Sequence, residues 1–338
     1  MVYSVPPRAR EKNMELRQLR YFVRIVELGS VSRAAKDLYI AQPALSAQLA
    51  NLESELGVRL LARSVRGVTP TAGGKTLYLH AQAVLRQVER LRRDVAHAGA
   101  LPGGPVSVGM PTSAANVLAG PLIATVQQRY PDVQLSLVES LSGHLRELVG
   151  NGRLEMSLLF EPAPPPGAAA REGGDLPHIH RVPLVEEELF LLSATPAPGA
   201  RDGRVSLEDA AAMRLVLPGR ANITRQLIDQ VFAARGLATQ VMAELDSLST
   251  IQTIVERGQA ATILSLSSLV GEGARDRLSA LSVGDPPILR RLSLCSPDIV
   301  AMGSAAESVA ALIPELVRDI VAAGGWPGAT ALAAAEVP

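Results

Sequence analysis

Apolar residues in the first hundred positions recur with a helical period. In ELRQLRYFVRIVEL, residues 15–28, Leu19, Phe22, Val23 and Val26 share one face, and Gly29 stops the run. Ser30 or Ser32 can cap a second helix, VSRAAKDL, whose Ala34, Ala35 and Leu38 face inward. Tyr39, Ile40 and Ala41 make a short turn. Pro43 suits the first turn of a third helix, where its missing N–H leaves no bond unmade, and Gly57 ends that helix. In this third helix, IAQPALSAQLANLESELG, Leu45, Leu49, Leu52 and Leu56 form an apolar edge. The rest, Gln42, Ala44, Ser46, Ala47 and Gln48, is short and uncharged, unlike an ordinary solvated surface. Three helices with a tight turn between the second and third predict a helix-turn-helix. VRLLARSVRGVTP, residues 58–70, adds a strand, a turn and a strand, a β-wing with Arg63 and Arg66 near its tip. The first module therefore spans 14–71.

Thr71 can cap a long helix over 72–98. Leu77, Ala81, Val84, Val88, Leu91 and Val95 are spaced 4-3-4-3-4, a coiled-coil seam of nearly three heptads. At 1.5 Å per residue such a helix is roughly 40 Å long, too long to bury its seam within the small module before it. A second copy of the chain is the expected partner; packing on the chain's own C-terminal part is the alternative. GALPGGP, residues 99–105, reads as a hinge. Strand and helix then alternate: strand 106–110, helix 115–129, strand 133–139, helix 143–150 and strand 155–160, a rhythm that predicts a parallel sheet covered by helices. A Pro/Ala/Gly-rich loop, 161–177, leads to a second set: strand 185–193, a short helix from Ser206, strand 214–217, helix 224–235, strand 241–245, helix 248–257 and strand 260–264. Strand 289–296 crosses back to the first set, and helix 305–323 follows. Two α/β lobes joined by crossing strands predict a clamshell over 105–324, with lobe I at about 105–180 and 285–324 and lobe II at about 181–284. Its cleft should lie at the C-terminal ends of the strands. Residues 1–13 are expected to be a disordered extension before a start at Met14, and the Ala/Gly/Pro-rich segment 325–338 a disordered tail.

With 338 residues, 47% of them hydrophobic, the chain can bury more than one core. The overall net charge of zero conceals an asymmetry. Of 33 basic and 33 acidic residues, 16 and 8 fall within 1–98, leaving 17 and 25 in the remainder. A basic first module on an acidic body points to a polyanion such as DNA at that end. The single cysteine, Cys295, excludes an internal disulfide and a cysteine metal site. No apolar run approaches the roughly 20 residues that span a bilayer, and the N-terminus has no apolar leader, so a cytoplasmic protein without membrane contact is expected. No G-x-S-x-G elbow, phosphate loop or H-E-x-x-H occurs, so an enzyme is not expected. His178 and His180 alternate like same-face strand residues but have no third ligand nearby, so they read as surface or structural histidines. Neither a metal nor a cofactor is expected.

LRYFVRIVELGSVSRAAKDLYIAQPALSAQLANLESELGVRLLARSVRGVTPTAGG resembles the winged helix-turn-helix of LysR-type transcriptional regulators. The resemblance rests on AA in the second helix, QPALS opening the third, LE-ELG closing it, LL-R entering the wing and TP-T--G leading to the linker helix. It extends more loosely through RYPDVQLSLVE, NGRLEMSLLFEP and ELFLL. RGVTPTAGGKTLYLHA and NGRLEMSLLFE most resemble the nitrogen assimilation control subgroup. The family implies an α/β chain with an all-α winged helix-turn-helix, a linker helix and a periplasmic-binding-protein-like effector domain. It implies a homotetramer, a dimer of dimers, on dyad double-stranded promoter DNA, with RNA polymerase as a further partner and a small-molecule effector in the cleft.

A major groove about 12 Å wide admits a helix whose N-terminal residues reach base edges. Gln42 can bond adenine with both amide atoms, Ser46 can reach a base or phosphate, and Ala44 and Ala47 permit close approach to a thymine methyl. Pro43 fixes the helix start, and Gln48 continues this face. The family often has arginine at the position of Ala47, so the base preference here is its own. Ser30, Ser32 and Arg33 are placed to meet phosphates, with plain capping the alternative for both serines. Arg63 and Arg66 suit a phosphate or the minor groove. Thr112 and Ser113 open a helix after the first strand of the clamshell, an arrangement that binds anions, with plain capping again the alternative. By the resemblance, Ser140, Phe160, Gly219, Arg220, Asn222 and Thr224 line the cleft, and Arg220 pairs a carboxylate. A small anionic metabolite is the expected effector, and a DNA-binding regulator with a vestigial clamshell is the alternative.

Overall fold

The N-terminal elements follow from where apolar side chains can be buried. The computed structural model describes residues 14–64, 67–96, 101–163, 179–271, 273–297 and 302–332. The expected extension 1–13, most of the loop 161–177, Arg66, His178 and the side chain of Arg63 lie outside the described residues. The chain divides into two compact units, residues 1–95 and 96–338.

In the first unit, α1 (Leu16–Leu28), α2 (Val31–Asp37) and α3 (Gln42–Leu56) surround a core of Phe22, Ile25, Ala34, Ala35, Leu45, Leu49, Leu52 and Leu60. Burying each large aliphatic side chain here stabilises the unit by about 1.5–3 kcal/mol. Leu56, expected on the apolar edge, is exposed at the last turn of α3. A capping box starts α1, in which the Glu15 amide donates to Gln18 Oε1 at 2.8 Å. At its end Gly29 adopts φ 61°. Arg24 ties α1 to α2, donating to both carboxylate oxygens of Asp37 at 2.6 Å, and this guanidinium holds the Asp37 carboxyl below its usual range.

The wing is β1 (Leu61–Ser64) paired antiparallel with β2 (Gly67–Pro70). Glu53 of α3 anchors its entry, accepting from the amides of Leu60 at 2.7 Å and Leu61 at 3.3 Å. Val68 N donates to Gly29 O at 3.0 Å, so the start of β2 lies on the end of α1. A Cβ on Gly67 would sit 2.4 Å from that Gly29 carbonyl, which leaves only glycine room there. Helix α4 (Ala72–Ala96) follows. Thr71 Oγ1 caps it, accepting from Gly74 N at 3.1 Å, and donates to Arg59 O at 2.7 Å. The first seam residues do not await a partner: Ala81 is buried against Leu19 and Val23 of α1, with Leu77 packed beside them.

In the second unit, β3 (Gly104–Met110), α5 (Thr112–Arg129), β4 (Val133–Glu139), α6 (Ser142–Gly150) and β5 (Met156–Pro162) form the expected βαβαβ start. The sheet they join is mixed, in the order β14-β6-β13-β5-β3-β4. β3 runs parallel to β4 and β5, while β6 (Ile179–Glu188), β13 (Leu289–Pro297) and β14 (Ala329–Ala331) run antiparallel to their neighbours. Helices α5 and α10 (Ser304–Ala322) cover one face around Val108, Met156, Leu158, Leu292, Val309 and Ile313. Helix α6 covers the other face near Leu145, Val149, Leu159 and Cys295.

The single strand expected at 185–193 divides at Leu189. Its first part is the end of β6, and its second is β7 (Phe190–Ser193), which enters another sheet of order β11-β7-β12-β8. The second lobe comprises β7, β8 (Arg204–Val205), α7 (Leu207–Ala211), β9 (Arg214–Leu217), α8 (Ile223–Ala234), β10 (Gln240–Glu244), α9 (Leu248–Glu256), β11 (Thr262–Leu264) and β12 (Ser279–Val283). A parallel bridge from Leu215 to Ala261 joins β9, which pairs with β10, to the end of β11.

The expectation of a disordered tail over 325–338 fails for residues 325–332. Trp326 is 1% exposed in the main core, and β14 pairs with β6. Glu188 N donates to Gly328 O at 2.8 Å, and Leu332 N to Leu184 O at 2.9 Å. Burial of one indole and these ladder bonds offset the chain entropy that the Ala/Gly composition suggested would win.

Candidate DNA-reading face and ligand cleft

The uncharged edge of α3 is open to solvent. Gln42, Pro43, Ala44 and Ala47 are exposed, Ser46 and Gln48 are half-buried, and Leu45 and Leu49 are turned inward. The alternation follows from helix geometry, because three leucines facing the core leave the opposite 180° to whatever the helix meets outside. Ser32 Oγ donates to Gln42 Oε1 at 3.0 Å. That bond fixes the amide while leaving a second lone pair on Oε1 and both Nε2 hydrogens for a base edge. Ser32 thus holds the Gln42 amide rather than capping α2. Ser30 is the cap, its hydroxyl accepting from Arg33 N at 3.3 Å. The Arg33 guanidinium donates to Leu28 O at 2.5 Å, so it is drawn onto the end of α1.

Beyond Ala81 most of the seam of α4 is open to solvent, with Val88 half-buried. Val84, Leu91 and Val95 are exposed, Leu91 at 58% and Val95 at 71%. Apolar side chains in that register along a helix surface match one half of a coiled coil.

In the second unit, Thr112, Ser113, Ser140, Phe160, Asn222 and Thr224 converge on one cleft between the lobes, together with Pro111, Leu141, Ser142, Asp246, Leu264, Ser268 and Arg290. Its free space is about 50 Å³, close to the share of two waters at about 30 Å³ each. Two expected lining residues do not belong to it. Arg220 is 80% exposed and pairs with Glu244 Oε1 at 3.3 Å over a separate outer groove. Gly219 instead gives room to Asp246, whose Oδ1 would lie 2.8 Å from a Cβ at that position. The neighbouring Arg225 is buried, donating to Pro218 O at 3.2 Å and to the carboxylates of Asp229 and Glu244, so the two arginines share Glu244 Oε1.

Arg290 is the charged centre that the sequence reading missed. It is buried on β13, and its Nε and Nη2 donate to Glu187 Oε2 on β6 at 2.9 and 2.6 Å. Nη1 donates to Thr224 Oγ1 at 2.6 Å, and Nη2 to Ser113 Oγ at 2.9 Å and Ser265 Oγ at 2.7 Å. The guanidinium also stacks 3.6 Å from the centroid of the Phe160 ring. Glu187, fully buried, completes its shell through Ser267 Oγ and through Trp326 Nε1 at 2.9 Å. The signal was in the alternation: in LRRLSLCS, Arg290 takes the same face as Leu292 and Leu294, both core residues.

Among the described residues no group of His, Cys, Asp and Glu could hold a metal ion, and no helix is long and apolar enough to cross a membrane. Cys295 is enclosed, and burial first, then the nearby Glu161 carboxylate, pushes its thiol up to about 12.

Residues 16–75 match the model of the bacterial regulatory helix-turn-helix protein, lysR family, and residues 99–318 match the LysR substrate binding domain. The chain is 38% identical over 256 residues to the nitrogen assimilation regulatory protein nac of Klebsiella aerogenes, covering 75% of this chain and 79% of that one. It is 34% identical over 314 residues to the nac protein of Escherichia coli K12, covering 91% and 97%. A full-length OxyR variant from Pseudomonas aeruginosa shares the fold with a TM-score of 0.65 at 23% identity, covering 96% of this chain and 99% of that one. Full-length CbnR, solved with its target DNA, does so with a TM-score of 0.59 at 22% identity, covering 90% and 99%. Both modules match over most of the chain, in the order in which the structure builds them, and the chain therefore belongs to the LysR family of DNA-binding transcriptional regulators.

Proposed function

We propose that this regulator reads a dyad promoter site through α3, assembles as a homo-oligomer through α4, and couples binding to a small polar ligand in the interlobe cleft, in the control of nitrogen metabolism. The observation that carries the DNA-reading part is the exposed, charge-free N-terminal face of α3 with Gln42 pre-set by Ser32. Ser46, Ala44 and Ala47 complete the reading surface. Phosphates are met by Arg63 and Arg66 on the wing. Gln42, Pro43 and Gln48 mark the approach of α3 to the groove.

The bare stretch Val84–Leu91–Val95 supports assembly, since two copies of α4 would bury it. Dimers pairing further into a tetramer would present four copies of α3, two to each dyad. The similarity to proteins named as nitrogen assimilation regulators supports the metabolic assignment. One observation favours a second reading, a regulator that needs no effector: the cleft is small and already cross-linked by Arg290.

The experiment is a mobility-shift and footprinting series on promoter fragments from nitrogen-assimilation genes, with and without nitrogen metabolites. Protection of a two-fold symmetric site is expected. Binding to these promoters no tighter than to random DNA at the same salt would refute the reading.

A further inference from the structure

An anionic effector in the interlobe cleft would need a cation and hydrogen-bond donors to replace its hydration shell. Arg290 is the one cationic side chain among the described residues lining the cleft. Its five N–H groups are almost wholly committed. Nε and one Nη2 hydrogen hold Glu187 Oε2, the second Nη2 hydrogen is shared between Ser113 and Ser265, and one of the two Nη1 hydrogens goes to Thr224. Those hydroxyls accept from the guanidinium and keep only their neutral O–H groups as donors. The Glu187 carboxylate is equally satisfied, with Arg290 on one oxygen and Ser267 and Trp326 on the other. Among the described residues of the cleft wall the only other charge is Asp246, itself negative and exposed at the rim.

We infer that Glu187 is a built-in ligand of Arg290: it fills a carboxylate seat on the one cation among the described residues lining the cleft, and so cancels the charge that would draw a small anion into it. This inference deepens the reading of the cleft as a ligand site and replaces the anionic effector expected from the sequence. The seat spans both lobes, because Ser113 belongs to α5 of the first and Thr224 and Ser265 belong to the second. Arg290, its charge balanced by Glu187, thereby links the lobes. Removing the Glu187 carboxylate leaves a buried guanidinium facing a gap the size of a small carboxylic acid.

The test is chemical rescue in the full-length protein, read by thermal unfolding and by the emission of Trp326, the sole tryptophan, whose indole N–H lies on the seat. Wild type titrated with sodium acetate, against sodium chloride at equal ionic strength, should show no saturable change in either signal. Glu187→Ala should melt lower and recover with acetate in a saturable way, by about 4 °C at ten times the dissociation constant. Glu187→Ala combined with Arg290→Met should show no recovery, because the cation is gone. If Glu187→Ala is insoluble in chloride, refolding in acetate should restore the native Trp326 emission. Saturable acetate binding by wild type, or no acetate-specific recovery or refolding of Glu187→Ala, would overturn the inference. Rescue reads the seat alone, so its failure is separable from failure of promoter binding or of a response to some uncharged ligand.

Discussion

Trp326→Ala should destabilise the second unit by about 4–6 kcal/mol, although its neighbours in sequence are alanines, glycines and a proline. The indole is 1% exposed among the residues packed by α10 and the large sheet. Truncating a buried tryptophan costs about 3–5 kcal/mol through lost burial and the cavity left behind. The substitution also takes from Glu187 Oε1 one of its two donors, leaving Ser267 alone on that oxygen. Losing one of two donors to a buried carboxylate oxygen adds up to about 1–3 kcal/mol, the two terms overlapping because relaxation or a water can restore part of the shell. For a domain of this size each kcal/mol lowers Tm by about 2–4 °C, so a drop of about 10–20 °C is expected. Far-UV circular dichroism during urea and thermal unfolding is the assay, since the substitution removes the only tryptophan. Trp326→Phe retains most of the volume and loses only the N–H, so its loss should be about 1–3 kcal/mol. A Trp326→Ala loss under about 1 kcal/mol would show that the C-terminal segment does not close this core. Equal losses for the two variants would show that packing contributes nothing.

Three further outcomes test other parts of the molecule. Val84→Glu with Leu91→Glu puts charge on two exposed seam positions, and light scattering should then show monomers where wild type is oligomeric; an unchanged mass would remove α4 as the interface. Gly74→Ala would place a Cβ 2.0 Å from Leu60 O, so the start of α4 must shift from the wing; DNA affinity should fall at least tenfold, and unchanged affinity would refute the tight joint. Cys295 should resist thiol reagents at pH 8 in the folded protein and react fully in denaturant, because burial raises its thiol to about 12 and withholds the thiolate; rapid labelling of the native state would contradict its enclosure.

Much of the fold was legible because the apolar spacing carries it. The helices of the first unit follow from Leu19, Phe22, Val23 and their counterparts in α2 and α3, and the wing from two short strands around Arg66-Gly67. Glycines with fixed roles, such as Gly29 and Gly57 at φ 61° and 68°, also announce themselves as helix stops. The seam was half legible: spacing identified it, but not that Ala81 is buried against α1 within the same chain, since a heptad pattern does not name its partner. The cleft hydroxyls were legible as helix openings. Arg220 misled because a cation next to a matched motif looked like a ligand, whereas it pairs with Glu244 over the outer groove. Arg290, Glu187 and Trp326 were hidden for a common reason. Each meets partners far along the chain, 103 residues separating Arg290 from Glu187 and 139 separating Trp326 from Glu187, and no local pattern encodes such a pairing.

In the proposed function α3 reads bases, with Gln42, held by Ser32, as its specific contact. The most direct measurement is selection of bound sequences from a randomised duplex pool by wild type and by Gln42→Ala, followed by affinities at fixed salt on the selected site and its single-base variants. Wild type should select a dyad, and Gln42→Ala should lose about 1–3 kcal/mol of discrimination at one base pair in each half-site while keeping the others. If Gln42→Ala keeps full discrimination, or loses affinity equally on every variant, α3 does not read the promoter through this face.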